Sequence, residues 1–167
     1  NNVYTVTFDA TETPKKIRIN KLNANLENVW DQNGVALNPE NDQRNAHLVD
    51  LGTQGVGVFW SESRSFLSGF DIYFQSLNNN GESQLSSGGI VVAESNGDDY
   101  IQSILPTPDG GFLVFWVEEV WPASRLKYNK VDASGSISIG WPPIGYSLSD
   151  QSIGSNNLSV KSISETS

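Results

Sequence analysis

The stretches Gly55-Val-Gly-Val-Phe-Trp60 and Gly111-Phe-Leu-Val-Phe-Trp116 decide the fold, because they are two copies of one pattern. Their closing tryptophans lie 56 residues apart. Further apolar runs end at Leu22, Leu77 and Val131, at spacings of 55 and 54 residues. A fixed period of this size predicts stacked supersecondary units.

Each repeat contains four short runs rich in Val, Ile, Phe, Tyr and Trp, separated by clusters of Gly, Asn, Asp, Ser and Pro. This pattern predicts four antiparallel strands, here named A to D. They are expected near 46–51, 56–62, 71–77 and 84–92 in the middle repeat, and near 101–105, 112–118, 126–131 and 139–148 in the last. No window has apolar residues at helical spacing over three turns, so we predict an all-β fold. Four-stranded units of this length in series are typical of β-propeller blades.

The chain ends are out of phase with the repeat. Tyr4, Val6 and Phe8 alternate with threonines and precede predicted strands C and D, so the chain is expected to open at strand B. The run from Leu158 to Ile163 falls where a strand A belongs, so the chain is expected to close at A. We therefore predict one β-propeller region, 1–167, with blades at about 1–40, 41–95 and 96–150 and a closing strand A in 151–167.

Three blades are too few for a ring, because propellers typically have four to eight. The last strand could pair into the first blade and join the ends, which would remove exposed edges. Alternatively, the three blades are a slice of a longer array. A homo-oligomer, or further blades in a longer parent chain, is therefore expected.

Composition excludes several classes of partner and site. The 167 residues include no cysteine, which rules out disulfides and thiolate metal sites. The net charge is −9 and the ten Lys and Arg are scattered, so no basic stripe exists to bind nucleic acid. No apolar stretch is long enough to predict a membrane span. The acidic balance, with many Asn, Ser and Gly, fits an extracellular or cell-surface bacterial protein.

Three motifs carry a family resemblance. They are Pro108-Asp109-Gly110-Gly111-Phe-Leu-Val-Phe-Trp116, the strand Asp71-Ile72-Tyr73-Phe74-Gln75, and the Trp-x-x-x-Gly segments Trp30-Asp31-Gln32-Asn33-Gly34 and Trp141-Pro-Pro-Ile-Gly145. In these the chain resembles secreted bacterial β-propeller repeat proteins of the Bacteroidota type. The resemblance covers most of the chain. It implies large proteins that look like type IX secretion cargo, with roles in adhesion, binding or surface assembly. Leu85 departs from the pattern by replacing the Trp of the middle repeat.

Residues suited to catalysis or metal binding are sparse. His47 is the only histidine, so neither a Ser-His-Asp triad nor a His-based metal site can form within one chain. Glu62 recurs at the position of Glu118, which favours an architectural role over that of a catalytic acid. We predict no enzyme activity and no cofactor. The Asn and Asp clusters at 38–42, 94–99 and 132–135 suit calcium ligation or, alternatively, tight turns.

The B–C and D–A connections of a four-stranded blade emerge at one end, and here the B–C links are predicted to be the longer and more apolar ones. The candidate ligand-binding residues in and beside these links are Arg64, Phe66, Phe70, Trp121 and Arg125. Aromatic and arginine side chains on loops of a rigid scaffold are typical of a protein-binding or glycan-binding face. The alternative is that these side chains fold back over the rim of a blade or cover its neighbour.

The expected function is therefore that of a non-catalytic extracellular module that binds protein or glycan, as in adhesion. One alternative is a structural subunit or spacer of a larger cell-surface or secretion-associated assembly. A carbohydrate-active enzyme fragment is the other alternative.

Overall fold

The computed structural model describes residues 3–65 and 69–148, which form three antiparallel sheets. Sheet 1 consists of β1 (Val3–Asp9), β2 (Lys16–Leu22) and β3 (Val35–Ala36). Sheet 2 consists of β4 (Asp42–Asp50), β5 (Val56–Ser65), β6 (Gly69–Leu77) and β7 (Ile90–Ala93). Sheet 3 consists of β8 (Asp98–Pro106), β9 (Phe112–Val120), β10 (Ala123–Val131) and β11 (Tyr146–Ser147). The two described ranges contain one 3-10 turn, Gly52–Gln54, and no α-helix. The all-β prediction is confirmed.

The strand registers show which residues are equivalent in the three sheets. The pairs at one end of the B–C ladder are Val3 with Leu22, Val56 with Leu77, and Phe112 with Val131. Counted from these pairs, β1 corresponds to the second strand of the other two sheets. Among the described residues, sheet 1 therefore has three strands, in the positions of strands B, C and D. The predicted closing strand A in 151–167 lies outside the described residues.

The turn after strand C, which is β2, β6 and β10 in the three sheets, is built the same way three times. One side-chain oxygen of Asn23, Asn78 and Asp132 accepts backbone N–H groups from the residues two and four positions later. Asn and Asp favour such turns because their side chains bond their own backbone. This geometry accounts for the polar cluster at 132–135, for which calcium ligation was the other interpretation.

Strand D is much shorter than predicted. It covers Ile90–Ala93 and Tyr146–Ser147, where the sequence predicted 84–92 and 139–148. A tight turn occupies the difference, closed by hydrogen bonds from Gly89 N–H to the Ser86 carbonyl and from Gly145 N–H to the Pro142 carbonyl. Both glycines have positive φ, 75° and 68°, a conformation that interrupts an extended strand. The strand can therefore begin only after the glycine.

The three sheets stack face to face in chain order. We call the face toward the next sheet in sequence the front face, and the face toward the previous sheet the rear face. The front face of sheet 1 (Tyr4, Val6, Ile19, Trp30) packs on the rear face of sheet 2 (Val58, Trp60, Leu77). The front face of sheet 2 (Phe59, Phe74, Leu85) packs on the rear face of sheet 3 (Phe112, Val114, Trp116). Two cores of the same design therefore separate the three sheets.

Hydrogen bonds at the first strand of each later sheet hold that sheet to the one before it. The Asp42 carboxylate accepts the Lys15 N–H at 2.7 Å, and the Asp98 carboxylate accepts the Phe70 N–H at 2.9 Å. Asp42 and Asp98 occupy equivalent places in β4 and β8, since they pair with Ser63 and Glu119 at the same register. The repeat in sequence is thus matched by a repeat in inter-sheet contacts.

Candidate functional site

Trp121 is almost entirely exposed, at 95% of its surface. It lies at the tip of the β9–β10 hairpin, where the ladder continues to the Val120–Ala123 pair. The link is therefore only Trp121-Pro122, and the prediction of a long B–C loop is wrong here, because strand pairing extends to the tip. The indole is therefore presented by a two-residue link between two paired strands.

Arg125 lies on β10 just behind this tip. It pairs across the ladder with Glu118, and its Nη1 is 4.0 Å from the Glu118 carboxylate. Its side chain remains 54% exposed. The guanidinium is therefore held weakly by the protein and is accessible to a ligand.

An open groove of about 630 Å³ runs beside Arg125. Sheet 2 contributes the segment Glu94, Ser95 and Asn96, which follows β7. The opposite wall carries Lys127, together with Ile137, Pro143 and Ile144 from the connection between β10 and β11. The groove therefore combines apolar surface with groups of both charges, a mixture that suits a polar, extended ligand.

Arg64 and Phe70 are occupied within the protein. Arg64 Nε is 2.6 Å from the Glu62 carboxylate, and its guanidinium lies 3.5 Å from the centre of the Tyr73 ring. Phe70 is buried, and the Arg44 guanidinium lies 3.6 Å from the centre of its ring. Both side chains therefore pack within sheet 2, and the Phe70 ring also lies 6.1 Å from the Tyr100 ring of sheet 3, centre to centre. Phe66, the remaining predicted residue, lies outside the described residues.

Two equivalent glutamates lie at the same place in sheets 2 and 3, with different surroundings. Glu62 is fully buried and accepts hydrogen bonds from five donors, on Asn38, Asn41, Gln43, Trp60 and Arg64, at 2.6–3.1 Å. Glu118 is bound by Lys127 at 3.0 Å and by the more distant Arg125. The carboxylate position is thus repeated, while its partners are not.

The strand partner of each glutamate explains this difference. Gln43 pairs with Glu62 and donates to it, whereas Asp99 pairs with Glu118. Asp99 is fully buried, and neither of its carboxylate oxygens has a hydrogen-bond partner among the described residues. The nearby Ser95 hydroxyl donates instead to the Gly97 carbonyl. Two carboxylates are therefore placed side by side below the groove.

Burial, reinforced by the negative charges of Glu118 and Asp71, raises the pKa of Asp99 to about 7. Burial also raises the pKa of Asp71 to about 6. The nearby Lys127 and, to a smaller extent, the Ser95 hydroxyl oppose the rise in the pKa of Asp99. No three His, Asp or Glu side chains within 3–65 and 69–148 converge on a metal site. Sequence reasoning missed this acidic cluster, although aligning Asp99 with Gln43 in the repeat would have revealed it.

His47 lies on β4, between sheets 2 and 3. Burial lowers its pKa, against the opposing effect of a hydrogen bond with the Ile101 backbone. A neutral imidazole at this contact between sheets fits a packing role for His47.

Comparisons with protein-family models, with curated proteins and with solved structures find no match to this chain. In the part of the chain that the structure describes, no helix has the length and apolar character needed to cross a membrane.

Proposed function

We propose that the three sheets are consecutive blades of a β-propeller in an extracellular or cell-surface protein, and that they form a non-catalytic binding module for protein or glycan. The ligand lies in the groove beside β10 and contacts Trp121 and Arg125. The observation that carries the proposal is the 95% exposure of Trp121 on a two-residue hairpin tip, together with Arg125, which lies on the same hairpin and lines an open, mixed-polarity groove.

Trp121 makes little contribution to the stability of the chain, because an exposed indole gains almost nothing from folding. Trp and Arg are the residues that most often dominate binding energy when a partner covers them. Here both lie on one hairpin of paired nine-residue strands, so little conformational entropy is lost on binding. The indole face suits stacking on a sugar ring or on an apolar side chain.

The ionisable groups nearest the groove support binding rather than catalysis. Glu118 is engaged by Lys127 at 3.0 Å, and Asp99 has no access to solvent. A catalytic acid has to reach its substrate within hydrogen-bond distance. Asp99 is too deeply buried to do so, and Glu118, which lines the groove, is neutralised by Lys127.

The test is binding to a glycan array and to a peptide array by the wild type and by Trp121→Ala. The affinity of Trp121→Ala for the glycan or peptide that the wild type binds should fall by roughly tenfold or more, as expected for a hot-spot residue. The midpoint of thermal unfolding should stay unchanged. Val29→Ala, a truncation of another exposed side chain in the connection between β2 and β3, is the matched control and should bind normally. Equal binding by Trp121→Ala, or no binding to either array, would contradict the proposal.

A structural role is the second candidate, and one observation favours it. The front face of sheet 3 is aromatic and is not covered by another sheet within the described residues.

A further inference from the structure

The middle repeat departs from the first at Leu85, which stands where sheet 1 has Trp30. Both residues precede a turn glycine of positive φ by four positions, Gly34 at 74° for Trp30 and Gly89 at 75° for Leu85. The two positions are therefore equivalent, and only the side chain differs. The consequence of this difference lies at the contact of each sheet with the sheet that follows it.

In the contact between sheets 1 and 2, Trp30 belongs to a closed polar cluster. Its indole N–H donates to the Asn79 carbonyl at 3.0 Å, and Lys21 Nζ donates to the same carbonyl at 3.2 Å. The Tyr4 hydroxyl donates to the side-chain oxygen of Asn79 at 3.3 Å. Asn79 lies in the turn after strand C of sheet 2. Four side chains therefore join that turn to the front face of sheet 1.

The contact between sheets 2 and 3 lacks this cluster. Smaller residues stand at the positions equivalent to the lysine, the tryptophan and the asparagine, namely Ser76, Leu85 and Ala133. The Asn79 carbonyl accepts two hydrogen bonds, whereas the Ala133 carbonyl accepts none from the described residues. The side chains that close the first contact are therefore missing from the second.

A cleft of about 700 Å³ lies at this second contact, and we call it the turn cleft. Its walls are the turn before β5 and the turns after β6 and β10, and Leu51 and Leu85 form its apolar part. None of the described residues that line it carries a charge. Its volume is in the range of small-molecule sites in proteins. The turn cleft thus differs in chemistry from the groove beside Arg125, and it lies at the opposite end of the sheets from Trp121.

Several polar side chains of the turn cleft have unused hydrogen-bonding capacity. The side-chain amides of Gln54 and Asn80 and the hydroxyls of Thr53 and Ser76 make no hydrogen bond with the other described residues. An amide offers two N–H donors and an acceptor oxygen, and a hydroxyl both donates and accepts. The turn cleft therefore suits a ligand whose groups donate and accept at once and carry no charge.

A sugar ring has these properties. Each of its hydroxyls donates and accepts, and its C–H faces can lie on Leu51 and Leu85. An ionic ligand would lose its hydration without gaining a charged partner. An extended peptide would need a strand edge, whereas the backbone here is bonded within its own turns, as in the bond from Asn78 N–H to the Glu82 carbonyl. The chemistry of the turn cleft therefore favours a neutral sugar over an ion or a peptide.

We propose that the turn cleft is a second ligand site, which binds an uncharged sugar unit of a glycan. The sugar occupies the space that the side chains of Trp30 and Lys21 fill in the first contact. One of its hydroxyls donates to the Ala133 carbonyl, as Trp30 and Lys21 donate to the carbonyl of Asn79. Leu85 is then the change that opens the site. The proposal does not depend on the groove beside Arg125.

The experiment is calorimetric titration of the whole chain with four neutral disaccharides: maltose, cellobiose, lactose and N,N′-diacetylchitobiose. At least one should bind, with a dissociation constant in the millimolar range or below. Added sodium chloride should leave this affinity unchanged, because no charge takes part. Glucuronic acid and glucosamine, which are charged, should bind more weakly. No binding by any of the four disaccharides, or tighter binding of a charged sugar, would overturn the proposal.

Two variants locate the bound sugar. Leu85→Trp restores the indole of sheet 1 and should raise the dissociation constant by roughly tenfold or more, because the indole fills the turn cleft. Asn80→Ala removes one free amide and should raise it about fivefold. Asn80 is exposed, so this loss could not be attributed to unfolding. Asn25→Ala removes the equivalent amide in the turn after β2; it is the matched control and should bind normally.

Trp121→Ala separates the turn cleft from the groove beside Arg125. This variant should bind the disaccharide with wild-type affinity. A ligand that binds Leu85→Trp normally and is lost in Trp121→Ala belongs to the groove, so failure of one site and failure of the other are distinguishable. Disaccharide binding that is unaffected by both Leu85→Trp and Asn80→Ala, or that is lost in Trp121→Ala, would overturn the proposal.

Discussion

Glu62 in sheet 2 and Glu118 in sheet 3 occupy one repeat position in two chemical environments. Glu62 has five hydrogen-bond donors around it, including the Arg64 guanidinium. Glu118 has the Lys127 ammonium on one side and the buried Asp99 carboxylate on the other. The repeat thus places a carboxylate at this point of strand B, while the hydrogen-bond donors and charged side chains around it differ between the two sheets.

The difference concerns how a buried charge is tolerated. Removing a carboxylate from water is costly unless it is paired and hydrogen-bonded. In sheet 2 the Glu62 carboxylate is fully hydrogen-bonded. In sheet 3 the Glu118 carboxylate is tolerated because its neighbour Asp99 keeps its proton over much of the pH range. We therefore expect sheet 2 to depend strongly on its glutamate, sheet 3 to depend little on Glu118, and sheet 3 to be stabilised when Asp99 is replaced by an uncharged residue.

The largest effect is expected from Glu62→Gln. The amide of the variant cannot neutralise Arg64 and presents donors to donors, so the free energy of unfolding should fall by about 3–5 kcal/mol. Glu118→Gln is the matched change and should cost about 1 kcal/mol or less, because Asp99 can then ionise beside Lys127. Urea unfolding of both variants at pH 7 measures the difference. Equal losses would mean that the two environments are energetically alike.

The pH dependence of stability in Asp99→Asn should further distinguish the two glutamate environments. Unfolded Asp titrates near 4, and the pKa of folded Asp99 is about 7. The folded chain thus retains a proton that the unfolded chain releases. The contribution of Asp99 to stability is therefore full below about pH 4 and is lost as pH rises through about 7.

Asp99→Asn carries no charge at any pH, so it removes this loss of stability. Its free energy of unfolding should exceed that of the wild type at pH 8 by roughly 2 to 4 kcal/mol. The gain should shrink towards pH 4. Urea unfolding at pH 4, 6 and 8 tests this, and a variant that is less stable than the wild type at pH 8 would show that Asp99 has a favourable charged partner.

The smallest effect separates the two tryptophans beside these glutamates. Trp60 Nε1 donates to Glu62 at 2.6 Å, whereas Trp116 Nε1 is buried without a partner among the described residues. Trp→Phe removes similar packing at both sites, so the difference between the two losses of stability measures the contribution of the hydrogen bond. Trp60→Phe should cost about 1.5 kcal/mol more than Trp116→Phe, the value of a bond to a charged group. Equal losses of stability for the two variants in thermal unfolding would show that the hydrogen bond from Trp60 to Glu62 makes no measurable contribution.

The sequence predicted the strands through their alternating apolar residues, and the turns through Gly, Asn and Asp. Strand B of sheet 2 begins at Val56, as predicted from its first apolar residue. Strand D was overestimated because apolar residues such as Leu85 continue through a glycine-closed turn and contact the neighbouring sheet from outside the ladder. Hydrophobic pattern alone does not distinguish a strand from a turn that packs on the core.

The candidate site could be predicted only in part. Arg64 and Arg125 look alike as arginines beside a B–C link, yet Arg64 lies on Tyr73 and Glu62, while Arg125 has only a distant carboxylate. Phe70 and Trp121 look alike as aromatic residues of these links, yet Arg44 covers the ring of Phe70. Which side chain has a neighbour depends on residues contributed by other strands, and that information is dispersed along the chain.

By itself, the sequence determined the repeat, the all-β class and the positions of turns, because hydrophobic alternation and backbone preference act within a few residues. Only the tertiary structure decided which of the repeated positions are buried, paired or open. The identical Phe-Trp pairs within β5 and β9 show why. Phe59 is buried because sheet 3 follows it, whereas Phe115 lines the open front face of sheet 3. Burial depends on the neighbouring sheet, and equal residues therefore acquire different roles.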